Sequence, residues 1–243
     1  HPESTGNSSV DYFLSSALLE KNHDNLQHNY SEKVLLPEHL PMFYFKPKIS
    51  FKKKFFKKKL YCCSQTMIKM HPDFDEIIIK IIKKDPKSKI LFIKDTDKIL
   101  YKFFKNRLIK KDKNVIKNIY FINPLTKENF IHLCGISSVL LDPLYFGSGN
   151  SFHESMFYGT PTISLPTEFM RSRIVLGAYK QMRVDYKKFI ASDLDDYVNK
   201  AIYFANNPNE NEKIKDELRN AADKYLYENE NAAKEIDIIL KNL

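Results

Sequence analysis

From residue 60 onward the chain alternates between two hydrophobic periods. Short apolar runs at 60–63, 89–93, 119–122, 139–141 and 162–165 are separated by stretches with apolar residues every three or four positions, at 73–83, 97–110, 127–134, 151–157 and 169–181. The runs are too short for helices and read as buried strands, whereas the stretches read as amphipathic helices. Regular strand–helix alternation predicts an α/β fold, a doubly wound parallel sheet with right-handed crossovers. Such sheets hold ligands at the carboxyl ends of their strands. After about Asp193, an expected N-cap, the pattern turns wholly helical over 194–205, 210–225 and 231–240. No internal repeat is visible.

Residues 1–47 differ. They hold two short apolar runs, at 11–14 and 33–37, and are broken by Pro37, Pro41 and Pro47. Such a segment cannot bury a core alone and is expected to be the tail of a preceding lobe. His1 is not an initiator methionine and opens a turn-like HPESTGNSS, so the chain is expected to be a piece of a longer protein. Residues 48–59 form a basic linker in which Phe51, Phe55 and Phe56 interleave with lysines. Those rings could stack nucleic-acid bases. We favour the simpler reading, a linker pinned by its aromatics to the domain from 60 to 243.

Composition narrows the partners. The 243 residues, 43% hydrophobic, suffice for one large domain or one domain with part of another. No segment approaches ~20 uninterrupted apolar residues, so no membrane partner is expected. The net charge of +9 suggests anionic partners, but much of it comes from lysines spread through an Ile/Asn/Lys-rich chain, a compositional bias, so nucleic acid is not expected from charge alone. Cys62, Cys63 and Cys134 form neither a disulfide framework nor a zinc-ligand spacing, which fits a reducing, cytoplasmic setting. Cys62 and Cys63 lie in an apolar strand and read as core residues.

The most informative segment is LLDPLYFGSGNSFHESMFYGTPTISLP, from Leu140 on. It runs from an apolar strand through a turn bearing Gly147 and Gly149 into a helix start at Asn150 and Ser151. Unpaired amides and the helix dipole at such a start favour phosphate. Glu154, one turn in, could reach sugar hydroxyls, so the expected ligand is a nucleotide or nucleotide sugar. Two more loops reach the same sheet edge. One carries Gln65 and Lys69 ahead of a helix marked by Pro72 and Asp73. The other carries Lys127 and Phe130, with Thr126 as N-cap and Asn129 at its third position. A lysine there can neutralise a leaving phosphate, and a phenylalanine can offer its face to a base. His71 reads as a turn residue, and His153 as a packed or solvent-facing one. The Asp-x-Asp pairs Asp73/Asp75 and Asp95/Asp97 read as acids in helix first turns, and no metal is expected.

These residues resemble a known family. LYFGSGNSFHESMFYGTPTISLPTEFMRSRIVLGAYKQM and YCCSQTMIKMHPDFD look like the carboxyl-terminal catalytic lobe of the O-GlcNAc transferases, glycosyltransferase family 41, especially its bacterial and SPINDLY-like members. The opening HPESTGNSSVDYFLSSALLE and the stretch at 30–37 are similar to the end of the family's amino-terminal lobe. The resemblance implies a two-lobed GT-B architecture of Rossmann-like sheets and an inverting, metal-independent transfer of a GlcNAc-like sugar from UDP to protein Ser/Thr. No cofactor is implied. Gln65 and Lys69 match the family's donor-contacting glutamine and diphosphate-binding lysine, and Lys127 matches a lysine near the uridine. Phe130 stands where the nucleocytoplasmic enzyme has a base-stacking histidine. Gly149, Asn150 and Ser151 fall where that enzyme has His-Thr-Thr around the pyrophosphate, and Glu154 replaces a ribose-binding aspartate. Related enzymes carry other sugars, on UDP or GDP. The amino-terminal lobe would supply the acceptor side and a base, usually preceded by tetratricopeptide repeats, so this stretch is expected to bind donor without turning it over. Three readings compete with this one: a GT-B transferase acting on a glycan or small molecule, a nucleic-acid-binding module using Lys52 to Lys59, and a non-catalytic scaffold that kept the fold.

Overall fold

The structure, a computed structural model, describes residues 4–21, 23–51, 59–96 and 99–243. Asp97, Phe55, Phe56 and most of the lysine linker lie outside the described residues. Two short strands, β1 (Tyr12–Leu14) and β2 (Lys33–Leu35), pair in parallel within the first segment. The main sheet follows, with β3 (Leu60–Cys63), β4 (Lys89–Ile93), β5 (Ile119–Ile122), β6 (Val139–Leu141) and β7 (Thr162–Ile163). All its pairings are parallel, in the order β5-β4-β3-β6-β7. Its helices are α1 (Phe74–Lys84), α2 (Ile99–Lys111), α3 (Lys127–Ile136), α4 (Asn150–Ser155) and α5 (Ile174–Gln181), then α6 (Leu194–Asn206), α7 (Pro208–Tyr225) and α8 (Glu230–Lys241).

The centre of the sheet explains its sequence. All four residues of β3 are buried, because both faces are covered, so the strand reads as a continuous apolar run. Tyr61 and Cys63 face Ile77, Ile78, Phe92 and Phe104, while Cys62 faces Leu133, Cys134 and Leu140. Burial pushes the Cys63 and Cys134 thiols up to about 12, so they stay protonated and act as packing groups. The chain builds outward from β3 through β4 to β5, then returns beside β3 to lay down β6 and β7. The loops after β3 and β6 therefore leave neighbouring strand ends in opposite directions and open a crevice between them.

The expected caps form: Thr126 Oγ1 accepts from the Asn129 amide at 3.4 Å, and the Asp193 carboxylate accepts from the Asp196 amide at 2.8 Å. Two elements differ from expectation. The strand expected over 162–165 stops at Ile163, because the Ser164 backbone bridges to Ile190 and its hydroxyl donates to Asp142 at 2.6 Å. The helix expected over 169–181 is a 3-10 turn at Met170–Ser172 followed by α5. There Ser172 Oγ donates to the Phe169 carbonyl, and the Arg173 side chain turns inward onto the Leu19 and Thr167 carbonyls. These local bonds compete with a continuous helix.

Residues 4–21 and 23–51 lie against the main domain. Leu19 and Leu40 enter its core, and the Leu40 amide donates to Gln181 Oε1 at 2.8 Å. Phe51 stacks on Tyr158 with ring centroids 4.9 Å apart, and the Arg219 guanidinium lies 5.0 Å from its ring. That part of the linker is pinned. Among the described residues no helix is long and apolar enough to cross a membrane.

Candidate functional site

The crevice between β3 and β6 is bridged by three side chains. Lys69 ends a 3-10 turn, Met67–Lys69, just past β3. Its ammonium donates to Gln65 Oε1 at 2.9 Å and to the Gly147 carbonyl at 2.8 Å, and lies 4.4 Å from the Phe146 ring centroid. Gln65 Nε2 donates to Ser151 Oγ at 2.5 Å. One network thus joins the β3 loop to the start of α4. The first local bond there is from the Phe152 amide to the Gly149 carbonyl, which leaves the Asn150 and Ser151 amides ahead of it. α4 has only six residues, so these amides matter more than any macrodipole. A side chain on Gly149 would meet nothing within 4 Å, so the space in front of the loop is open.

Each loop has its own anchor. Arg107 grips the buried Asp75 with two bonds, at 2.8 and 2.9 Å, and donates to the Met70 carbonyl at 2.6 Å, holding the far end of the Lys69 turn. Asp75 is thereby neutralised within the fold, and Asp73 accepts from the Tyr145 hydroxyl at 2.7 Å. Under the other loop lies Asp142. It accepts from the Ser148 amide and hydroxyl, both at 2.7 Å, as well as from Ser164. A Cβ on Gly147 would fall 2.7 Å from Asp142 Oδ2, so only glycine lets the loop rest on this carboxylate. Burial pushes Asp142 up and Lys69 down, while each opposes the other's shift through opposite charge. Lys69 is therefore an under-solvated cation at the mouth of an open loop.

Beside this network, a cleft of about 370 Å³ runs along the strand ends, lined by Ser64, Gln65, Ile93, Lys94, Leu125 and Phe130. Ile93, Leu125 and Phe130 give it an apolar side, and Gln65 belongs both to it and to the Lys69 network. A larger hollow of about 740 Å³ lies elsewhere, between the first segment and the turn that carries Phe169 and Arg171. The sheet edge and its converging polar groups point to the smaller cleft. On α4, one turn past Ser151, Glu154 meets Lys127 Nζ at 3.3 Å and the Tyr44 hydroxyl at 3.0 Å. Gln65, Lys69, Lys127, Phe130, Gly149, Asn150, Ser151 and Glu154 thus all fall around one edge of the sheet. Tyr44, Asp142 and Arg107 were missed; of these, only Asp142, polar at the end of an apolar strand and next to a proline, carried a local signal.

His153 is buried, its ring centroid 5.0 Å from that of Tyr44, and its Nδ1–H donates to the Gly149 carbonyl at 3.2 Å. Burial pushes its pKa from 6.5 down to about 4. The unfolded chain binds this proton near the ordinary value, so His153 supports the fold fully above about 6.5, and that support is lost as pH falls towards about 4. Across this window the loss is expected to reach about 3 kcal/mol. Melting curves at stepped pH should show it, with the slope reduced in His153→Phe.

Parallel strands with a cleft and a bridging lysine at their switch point define a Rossmann-like α/β lobe, and the solved structures place it in the GT-B fold. A Thermobaculum terrenum O-GlcNAc transferase mutant matches over 100% of this chain and 46% of its own, at 14% identity and a TM-score of 0.87. An S. aureus TarM mutant, in complex with fondaparinux, alpha-GlcNAc-glycerol and UDP, matches over 87% of this chain and 40% of its own, at 15% identity and TM-score 0.60. Anabaena HepE in complex with UDP matches over 76% of this chain and 49% of its own, at 12% identity and TM-score 0.56. The chain thus spans less than half the length of each. No curated protein sequence matches it. The sequence profile of glycosyl transferase family 41 matches residues 55–236, and the chain belongs to that family.

Proposed function

We propose that this chain is the donor-binding half of an enzyme that moves a GlcNAc-like sugar from UDP onto protein Ser or Thr, by inversion and without a metal. The observation that carries the reading is the Lys69–Gln65–Ser151 network, which spans the crevice beside a base-sized cleft. UDP in the TarM and HepE complexes supports the nucleotide, and the O-GlcNAc transferase likeness supports a protein acceptor. In this reading Phe130 faces the uracil, Glu154 and Lys127 take the ribose, and Lys69 with the Asn150 and Ser151 amides holds the diphosphate.

Chemically, the acceptor oxygen attacks the anomeric carbon from the face opposite the leaving group. The bond from that carbon to the β-phosphate oxygen breaks, and its electron pair remains on the diphosphate. The acceptor's proton goes to a base, which the resemblance assigns to an amino-terminal lobe. Lys69 and the α4 amides meet the growing charge as donors already in place. TarM, bound to fondaparinux and a GlcNAc-glycerol, favours a second reading with a glycan or small-molecule acceptor, which peptide and oligosaccharide assays separate.

Calorimetric titration of the chain with UDP and GDP is the test. Saturable UDP binding, stronger than GDP binding, is expected. Binding of neither nucleotide would overturn the donor site, and salt-sensitive binding of single-stranded oligonucleotide in its place would favour a nucleic-acid-binding module using Lys52 to Lys59.

A further inference from the structure

Glu154 is held from one side only. Its carboxylate is mostly buried, at 16% exposure, yet among the described residues both side-chain contacts fall on Oε1, from Tyr44 and from Lys127. Neither of these contacts engages Oε2. The two contacts are unequal. The Lys127 side chain is 64% exposed and long, and exposed ion pairs of this kind fix geometry poorly. Tyr44 is rigid: its ring lies against His153, its carbonyl accepts from the Glu228 amide at 3.0 Å, and Lys127 Nζ sits 5.7 Å from its ring centroid. Burial and the neighbouring carboxylate push its phenol up, so it stays a donor. Tyr44 comes from the first segment, on a proline-flanked stretch with no helix or strand of its own.

We propose that Tyr44 is a positioning residue for Glu154: by occupying Oε1 it fixes the carboxylate so that Oε2 faces a ribose diol. Residues 1–47 then take part in choosing the donor, because one of their side chains sets the orientation of the group that reads the sugar of the nucleotide. The proposal rests on the donor-site reading above.

The test compares UDP with its dideoxy analogue, which lacks both ribose hydroxyls, on the wild-type chain and on Tyr44→Phe, Glu154→Gln and the double variant. Phenylalanine keeps the ring against His153 and removes only the donor. Tyr44→Phe is expected to weaken UDP about tenfold, the scale of one hydrogen bond to a charged group, while the analogue changes less than about twofold. The double variant should be no weaker than Glu154→Gln alone, as coupled residues require. The preference for UDP is a ratio within each variant, so a change in folded fraction cancels. Equal losses on both nucleotides, no loss on either, or additive losses in the double variant would overturn the role of Tyr44. Failure of the wild-type chain to bind UDP overturns the donor site itself.

Discussion

Replacing Lys69 with alanine is expected to lower sugar transfer by the catalytically complete enzyme by roughly two orders of magnitude or more, the scale of losing one preorganised donor to a developing anion. In the proposed mechanism the effect should fall mainly on kcat, because the charge assigned to Lys69 would be greatest once the sugar–phosphate bond is breaking. The environment of the side chain supports a large value. Its ammonium is partly stripped of water and turned towards oxygen acceptors, Gln65 Oε1 and the Gly147 carbonyl, at the open edge of the loop. A charge in that state interacts more strongly with an arriving anion than one in bulk water. Lys69→Arg is a stricter probe, since the guanidinium keeps the charge but cannot occupy the same compact position between two oxygens and the Phe146 ring. Steady-state kinetics on both variants decide the matter. An unchanged kcat in Lys69→Ala removes this residue from the chemistry and leaves it a loop strut.

Why Lys69 could be read from the sequence, and Tyr44 could not, is a matter of range. The strands β3 to β6 end where expected because each is an apolar run bounded by polar or turn residues, a purely local signal. Lys69, Gln65, Ser151 and Glu154 sit at fixed short offsets from those strand ends, so placing the strands placed them too. Tyr44 lies in PMFYFKP, a stretch without period, and its partner is 110 residues away. Nothing local distinguishes it from Phe43 or Phe45. Arg107 reads as an ordinary cation on the surface of α2, and only the fold brings it onto the buried Asp75. The two misplaced boundaries have the same origin. Ser164 leaves its strand to reach Asp142, and Arg173 interrupts a helix to reach the Leu19 carbonyl, a bond spanning 154 residues. Pattern reading succeeds where local preference and burial agree, and fails where a distant partner outweighs them.

Two glycines in the same segment look alike in sequence, yet their replacement by alanine should give opposite results. Gly159 has φ +66, and a Cβ there would lie 2.0 Å from the Lys215 carbonyl oxygen and 2.9 Å from the Arg219 amide, both backbone atoms of α7. The helix cannot simply withdraw. Lys215 Nζ donates to the Gly135 and Ser137 carbonyls at 3.0 Å each, and Asn211 donates to the Ser138 carbonyl at 2.6 Å, so α7 is fastened to the chain entering β6. Gly159→Ala must therefore bear both the left-handed backbone and a displaced helix, with an expected loss of about 4 kcal/mol and a fall in Tm of about 10 °C. At Gly149 a Cβ meets open space and the backbone is not left-handed, so Gly149→Ala should melt within about 2 °C of the wild type while intruding on the space before Asn150 and Ser151. Scanning calorimetry on the two variants, paired with UDP titration, separates the roles: Gly159 should appear in the melt and Gly149 in the affinity. If Gly159→Ala melts with the wild type, α7 does not press on this turn, and the seating of α4, with Ser151 and Glu154 upon it, depends on some other contact.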